Sequence, residues 1–249
     1  MANTLFGISF SPWSIKARWA LDHHQVPYRY VEHVPMIGSL RLRLVLRRLR
    51  GPVSVPVLRA GSEVFGESLD IARWADRQGS GDGLLPEDRH DEIAEWNRRS
   101  DALLGPGRIL TLRAGMQRPE VLRDDLPGPL GKIPGVDSVT RTVLGYLLRK
   151  YHVAGTDDEL KQAMRDQLVH LRDALGDGDY LLEDFSYADI AMVVALQGVK
   201  PPGRDRVPLE DANRETWTRP DLAEEFSSLL AWRDRIYERH HVRAARRAR

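Results

Sequence analysis

Residues 4–21 read TLFGISFSPWSIKARWAL, and this stretch decides the fold. Thr4 to Phe10 is a short, mostly apolar run rich in strand formers. Ser11-Pro12 follows, and a serine ahead of a proline marks a helix N-cap with proline at the first helical position. From Trp13 to His24 the period turns helical: Ala17, Ala20, Leu21 and His24 fall at i, i+3, i+4 and i+7 on one face. A strand therefore feeds a helix through a serine–proline corner.

Outward from that corner, Tyr28 to Val34 (YRYVEHV) alternates as a second strand, and a leucine- and arginine-dense helix is expected up to Arg50. Val55-Pro56-Val57-Leu58 and Glu63-Val64-Phe65 read as two short strands separated by Ala60-Gly61. Ser68 opens a helix through Asp76, with Ile71, Trp74 and Ala75 on one side. The order is βαβα followed by ββα, a parallel βαβ unit and then a hairpin packed by a helix. Residues 79–88 (GSGDGLLPED) form a Gly/Pro/Asp-rich break. Beyond it the period is helical, with helices expected at about 89–105, 106–124, 137–152, 157–175, 186–198 and 221–240. Proline and glycine punctuate Pro127 to Gly135 and Lys200 to Pro208, and no internal repeat is present. The reading is α/β plus all-α: an α/β domain over 1–78, a linker over 79–88 and a helical domain over 89–249.

Composition narrows the chemistry. The 42% hydrophobic content suits a globular chain, and 37 basic residues nearly cancel 36 acidic ones, so there is no overall field to hold nucleic acid or an acidic membrane. No apolar run approaches the ~20 residues that span a bilayer. Met1 to Phe10 lacks a basic segment ahead of a long apolar one, so a cytoplasmic location is expected. Cysteine is absent, which rules out a protein thiol, a disulfide or a zinc–thiolate site in this sequence. If thiol chemistry occurs here, the thiol arrives with a ligand.

Three further features accompany the corner. Ser54-Val55-Pro56-Val57-Leu58 puts proline at a strand start, which by itself is an edge feature. Phe65-Gly66-Glu67-Ser68-Leu69-Asp70-Ile71 puts serine before a helical run, by itself an ordinary cap. Phe185-Ser186-Tyr187-Ala188-Asp189-Ile190 has the Ser-x-x-acid shape of a capping box. In this order and spacing the four resemble the glutathione transferase superfamily, with its S/C-P-F/W-x-x-[RK]-x-R, V-P-x-L, E-S and S-x-A-D-I motifs. The resemblance covers residues 4–78 and 157–198; its spelling is closest to serine-type members, of no assigned class.

What the resemblance implies is specific. The N-terminal domain is thioredoxin-like (βαβαββα) and binds glutathione as co-substrate, and no metal is involved. Ser11 is the catalytic donor to the glutathione thiolate, with Ser14, one turn on, as its competitor and a purely structural cap as the remaining reading. Val55 and Pro56, with a cis bond between them, offer the Val55 backbone to the cysteinyl part of glutathione. Glu67 and Ser68 take its γ-glutamyl end, and Trp13 and Ser14 complete the binding set. The second substrate, a hydrophobic electrophile, is expected between Trp13 and the stretch Arg99 to Arg113. The family often has lysine directly before V-P to meet the glycyl carboxylate; here Ser54 stands there, and Arg47, Arg48 or Arg50 is the candidate replacement. Arg41 and Arg43 complete a run with no acid among residues 41–50, whose bland reading is a solvated basic face and whose minor alternative is a nucleic-acid or acidic partner. A cytoplasmic homodimer acting in detoxification is implied, and a non-catalytic binding or scaffold module is the rival. Asp189 reads as a buried folding cap, Trp96, Trp217 and Trp232 as core, and the tail from Arg239 as a frayed, solvated end.

Overall fold

The structure, a computed structural model, describes residues 3–35, 38–48, 50–118 and 136–241. Strand β1 (Asn3–Gly7) leads into helix α1 (Pro12–His23), then β2 (Tyr28–Glu32), α2 (Ser39–Val45), β3 (Val57–Ala60), β4 (Glu63–Phe65) and α3 (Ser68–Gln78). The strands form one sheet in the order β2-β1-β3-β4. β1 pairs parallel with β2, and antiparallel β3 joins it on the other side, with Phe6 opposite Val57. β4 pairs antiparallel with β3, with Phe65 opposite Leu58. This is the expected thioredoxin-like βαβαββα arrangement.

Strand alternation sorts the side chains into two cores. Leu5 and Leu58 face a cluster with Ala17, Leu21, Ile71, Trp74 and Ala75 from α1 and α3. Phe6 and Val57, one residue along on each strand, face the opposite cluster with Leu42 of α2 and Val53.

Helix α2 stops at Val45, short of the expected Arg50. The Arg48 N–H returns to the Arg43 carbonyl at 2.9 Å and the Arg47 N–H to the Leu44 carbonyl at 3.3 Å. That double return is a Schellman closure, and it requires a left-handed residue at the position after the cap. Arg47 fills it, with φ 52. Glycine normally announces such a stop, and its absence hides the stop from the sequence.

The remaining helices are α4 (His90–Gln117), α5 (Val136–Lys150), α6 (Asp157–Leu175), α7 (Tyr187–Ala195), α8 (Asp211–Trp217), α9 (Pro220–Glu225) and α10 (Ser227–His240). The expected break at 105/106 is absent: α4 continues through Pro106. Leu103 and Leu104 before the proline and Ile109 and Leu110 after it are all buried, so packing holds both halves in line. The expected 221–240 helix is two, because Phe226 leaves helical geometry (φ −112, ψ 34) with its ring wholly buried. α8 has seven residues, too few to declare a period. Residues 119–124, the Pro127 to Gly135 punctuation and residues 242–249 lie outside the described residues.

The described chain forms two compact units: Met1–Arg98 with Asp177–Val194 and Trp232–Arg249, and Arg99–Gly176 with Ala195–Ala231. In the first, Asp189 is the buried cap that was expected. Its carboxylate accepts the Leu181 N–H at 2.8 Å, the Ser186 N–H at 2.9 Å and the Ser186 hydroxyl at 3.2 Å. Trp232 is buried, and its indole donates to the Asp179 carbonyl at 2.8 Å. The chain is not frayed at Arg239: that residue pairs with Asp179 at 3.2 Å, and His240 stacks on Phe185 with centroids 3.8 Å apart. In the second unit, buried Arg219 donates to the carbonyls of Thr216, Thr218 and Gly107 and to the Thr111 hydroxyl, which fixes the start of α9 against α4. Thr156 and Glu159 close a capping box on α6. Among the described residues, no helix is long and apolar enough to cross a membrane.

Candidate functional site

The sheet topology gathers the sequence motifs at one end. β1 and β2 are parallel, so Gly7 and Glu32 end side by side. β3 runs the other way and begins at Val57 beside Phe6. β4 is antiparallel to β3 and ends at Phe65 beside Leu58. The turn to Ser11, the segment Val55–Pro56 and the segment Glu67–Ser68 therefore all leave from the same edge of the sheet.

Ser11 occupies the N-cap of α1 in extended conformation (φ −73, ψ 126), with Pro12 at the first helical position. Its hydroxyl makes no capping hydrogen bond. The cap reading from sequence is right about place and wrong about employment: the backbone caps, and the hydroxyl is not spent on it. Ser14 differs. It is wholly buried, and its Oγ accepts the Ile8 N–H at 3.1 Å, so its hydroxyl works inside the corner. Trp13 is half-buried beside them.

The Val55–Pro56 bond is cis. Pro56 is buried and Val55 half-buried. Among the described residues, the Val55 N–H and C=O make no backbone–backbone hydrogen bond, so both are open to an extended peptide. At α3 the N-cap is Glu67 and not Ser68, with the Glu67 carbonyl accepting the Ile71 N–H at 3.0 Å. Glu67 is exposed, whereas Ser68 opens the helix and is 4% exposed. A helix N-terminus presents free N–H groups and a partial positive charge, which suit a carboxylate.

Ser54 is exposed, and so are Arg41, Arg47, Arg48 and Arg50. Arg41 lies over the Phe6 ring at 5.0 Å. Arg47 and Arg48 sit in the Schellman turn that leads toward Val55–Pro56. Elsewhere, Arg113 is held by Asp157 at 2.6 Å and by the Gly155 carbonyl at 3.0 Å, and Arg108 lies over the Tyr151 ring at 3.8 Å.

Sequence reasoning missed two side chains at this edge. Glu32 ends β2 and accepts the Ser9 N–H at 2.9 Å, and Arg18 donates to the Ser9 carbonyl at 3.4 Å. Arg18 was visible only as a motif position, and Glu32 only as a charged residue at a strand end. Burial pushes the neighbouring tyrosine hydroxyls of Tyr28 and Tyr30 well above their ordinary range, with Asp22 and Glu32 respectively as the next cause.

Residues 5–83 match the glutathione S-transferase N-terminal domain and residues 154–235 the glutathione S-transferase C-terminal domain. The chain belongs to the glutathione S-transferase superfamily. Its fold is similar to that of β-etherase LigF from Sphingobium sp. strain SYK-6, at 20% identity and TM-score 0.63 over 96% of each chain. It is also similar to a glutathione transferase family member from Pseudomonas fluorescens Pf-5 with bound glutathione, at 18% identity and TM-score 0.58 over 96% of this chain and 95% of that one. A glutathione S-transferase from Methylobacterium radiotolerans JCM 2831 in complex with glutathione sulfonate is a third likeness, at 17% identity and TM-score 0.55 over 96% of this chain and 92% of that one. Among curated proteins, none matches the sequence.

Proposed function

We propose that this chain binds glutathione at the described sheet edge and activates its thiol for addition to a hydrophobic electrophile, with Ser11 as the donor to sulfur. The observation that carries this is the Ser11 hydroxyl: it stands at the N-cap of α1 and makes no capping bond. A free thiol of pKa near ~8.5 is mostly protonated at neutral pH, and only the thiolate is nucleophilic. Ser11 and the N-terminus of α1 favour the thiolate together, one by a charge-assisted hydrogen bond and the other by its partial positive charge. Because the chain has no cysteine, the reacting thiol is the ligand's and not the protein's. Val55 pairs its free N–H and C=O with the peptide, next to Pro56. Glu67 faces the γ-glutamyl ammonium, and Ser68 with the α3 N-terminus takes the carboxylate. Trp13 and Ser14 complete the pocket, Ser14 by holding Ile8. Similar structures holding glutathione, glutathione sulfonate and S-(propanoic acid)-glutathione support glutathione as the ligand.

In this reading residues 1–78 are the glutathione-binding domain, 79–88 the linker and 89–249 the helical domain, and an arginine among Arg47, Arg48 and Arg50 meets the glycyl carboxylate. Family membership supports a cytoplasmic homodimer acting in detoxification.

The test is glutathione titration followed by a pH–rate profile. Calorimetry should give a dissociation constant between micromolar and millimolar, about −4 to −8 kcal/mol. Ser11→Ala should keep most of that binding yet lower kcat at neutral pH by about 10–100-fold, with partial recovery as pH rises. Absence of binding at ~10 mM glutathione would favour a non-catalytic scaffold. An unchanged profile in Ser11→Ala would leave Ser11 as a helix cap alone.

A further inference from the structure

Arg18 and Glu32 have no part in the function proposed above, yet both reach the turn that carries Ser11. Glu32 closes β2, and its Oε1 accepts the Ser9 N–H at 2.9 Å. Arg18, half-buried on α1, donates Nη1 to the Ser9 carbonyl at 3.4 Å, and its guanidinium lies 5.3 Å from the centroid of the Tyr30 ring. Ser9 is thus gripped on both of its backbone polar groups by side chains from two different elements. The grip continues on either side. The Ile8 N–H rests on Ser14 Oγ at 3.1 Å, the Ser11 N–H on the Ile8 carbonyl at 3.0 Å, and the Gly7 carbonyl accepts the His33 N–H at 2.7 Å. Gly7 itself is walled in: a Cβ there would lie 2.8 Å from the Tyr30 hydroxyl and 3.1 Å from the Ser14 side chain.

The turn carries one functional hydroxyl and makes no regular ladder of its own. Left to water, its backbone groups would allow several placements of Ser11. A hydroxyl-to-sulfur hydrogen bond tolerates displacement of only about 0.5 Å. Glu32 lies on the surface, yet burial is the first cause that holds its carboxyl above the usual range, with the Ser9 bonds acting against it, and what it holds is the Ser9 backbone. Its bond to Ser9 therefore acts locally.

We infer that Glu32 and Arg18 are positioning residues for Ser11: they clamp Ser9 from opposite sides and thereby fix where the Ser11 hydroxyl meets the ligand thiol. This rests on Ser11 being the thiolate donor. The clamp makes a prediction whose sign separates it from a simple charge effect. Removing the Glu32 carboxylate takes a negative charge away from the site, which by field alone favours the thiolate and lowers its pKa. Loosening the clamp weakens the Ser11 bond and raises it. Arg18 is the poorer probe, because loss of its positive charge and loss of its grip act in the same direction.

The experiment follows thiolate absorbance against pH for glutathione bound to the full chain, with Kd by calorimetry and thermal unfolding for every variant. Ser11→Ala should move the thiolate midpoint up by about one pH unit or more. Glu32→Ala should move it up by about half to one unit, with kcat/KM at pH 6.5 about 3–10-fold lower and converging on wild type near pH 9. Kd should stay within about two-fold. Glu32→Gln keeps an oxygen that can accept the Ser9 N–H, so it should show no upward shift. In the Ser11→Ala background, where only the field effect is left, Glu32→Ala should add no further upward shift. Should Glu32→Ala fail to fold, Glu32→Asp, one methylene short of Ser9, takes its place with the same expected sign. The clamp is overturned, with the Ser11 reading intact, by a Glu32→Ala midpoint that is unchanged or lower. It is overturned equally by an upward shift that persists in the Ser11→Ala background, or by an upward Glu32→Gln shift as large as that of alanine. If Ser11→Ala itself leaves the midpoint in place, the Ser11 reading falls and the clamp falls with it.

Discussion

Asp189 can be replaced by asparagine to ask which of two opposed effects governs a buried carboxyl. It is wholly buried, and two N–H groups and one hydroxyl donate to it, at 2.8, 2.9 and 3.2 Å. Those donors favour the ionised form. Burial opposes them and is the larger effect, so the carboxyl is pushed up to about 6 from an ordinary 3.8. The sign then follows from proton counting. Between about 4 and 6 the folded chain holds more of this proton than the unfolded chain does, so the Asp189 contribution to stability is greatest at low pH and declines as pH rises through that window. A rise of about two pKa units corresponds to a decline of about 3 kcal/mol. Asparagine keeps one accepting oxygen but turns an NH2 toward the other donors, and it does not titrate. Asp189→Asn should therefore be destabilised by about 3–5 kcal/mol near pH 4, and the gap to wild type should shrink by about 2 kcal/mol by pH 6.5. Urea unfolding of both chains at half-unit steps from pH 4 to 7 measures this. His24 and His240, both lowered chiefly by burial, titrate in both chains and cancel in the difference. A gap that widens with rising pH would refute the reasoning, because it would mean that the three donors outweigh desolvation.

Two further changes probe the sheet and its edge. Gly7→Ala places a methyl group against the Tyr30 hydroxyl and should cost about 1–3 kcal/mol, and Tyr30→Phe in the same chain should recover part of it, read from urea midpoints. Arg47→Gly relieves a left-handed arginine at the Schellman position and should stabilise the chain by about 0.5–1 kcal/mol, whereas Arg47→Val should destabilise it by at least as much; the same midpoints decide.

Much of the fold was legible because local signals and packing coincide. The Ser11-Pro12 corner, the Glu63–Phe65 strand and the 157–175 helix agree with the structure to within a residue or not at all displaced, since each is bounded by a cap, a turn or a proline that chemistry enforces. Failures came where tertiary packing overruled a local rule. Pro106 would end an isolated helix, yet buried leucines and isoleucine on both sides carry α4 through it. Phe226 would continue one, yet burying its ring breaks the backbone. Arg47 takes a conformation that sequence reserves for glycine.

The candidate site divides in the same way, and the division bears on mechanism. Ser11, Val55, Pro56, Glu67 and Ser68 are legible as candidates only together, through the order and spacing of their motifs, because each alone has an ordinary structural reason to stand at an element end. Ser11 and Ser14 compete for one role in the sequence, since one caps and the other opens the same helix, and the choice of Ser11 is part of the proposal. Only the fold commits Ser14 to the Ile8 N–H and leaves the Ser11 hydroxyl without a capping bond. Glu32 was beyond the sequence: its partner is a backbone group 23 residues away, brought close by the parallel pairing of β1 with β2. A side chain that acts on another segment's backbone leaves no motif, because any sequence supplies the N–H it needs. In the clamp proposed above, the side chain that places the Ser11 hydroxyl is therefore of the kind that sequence reading is least equipped to find: it stands at the end of β2, beside β1, and acts on a backbone group.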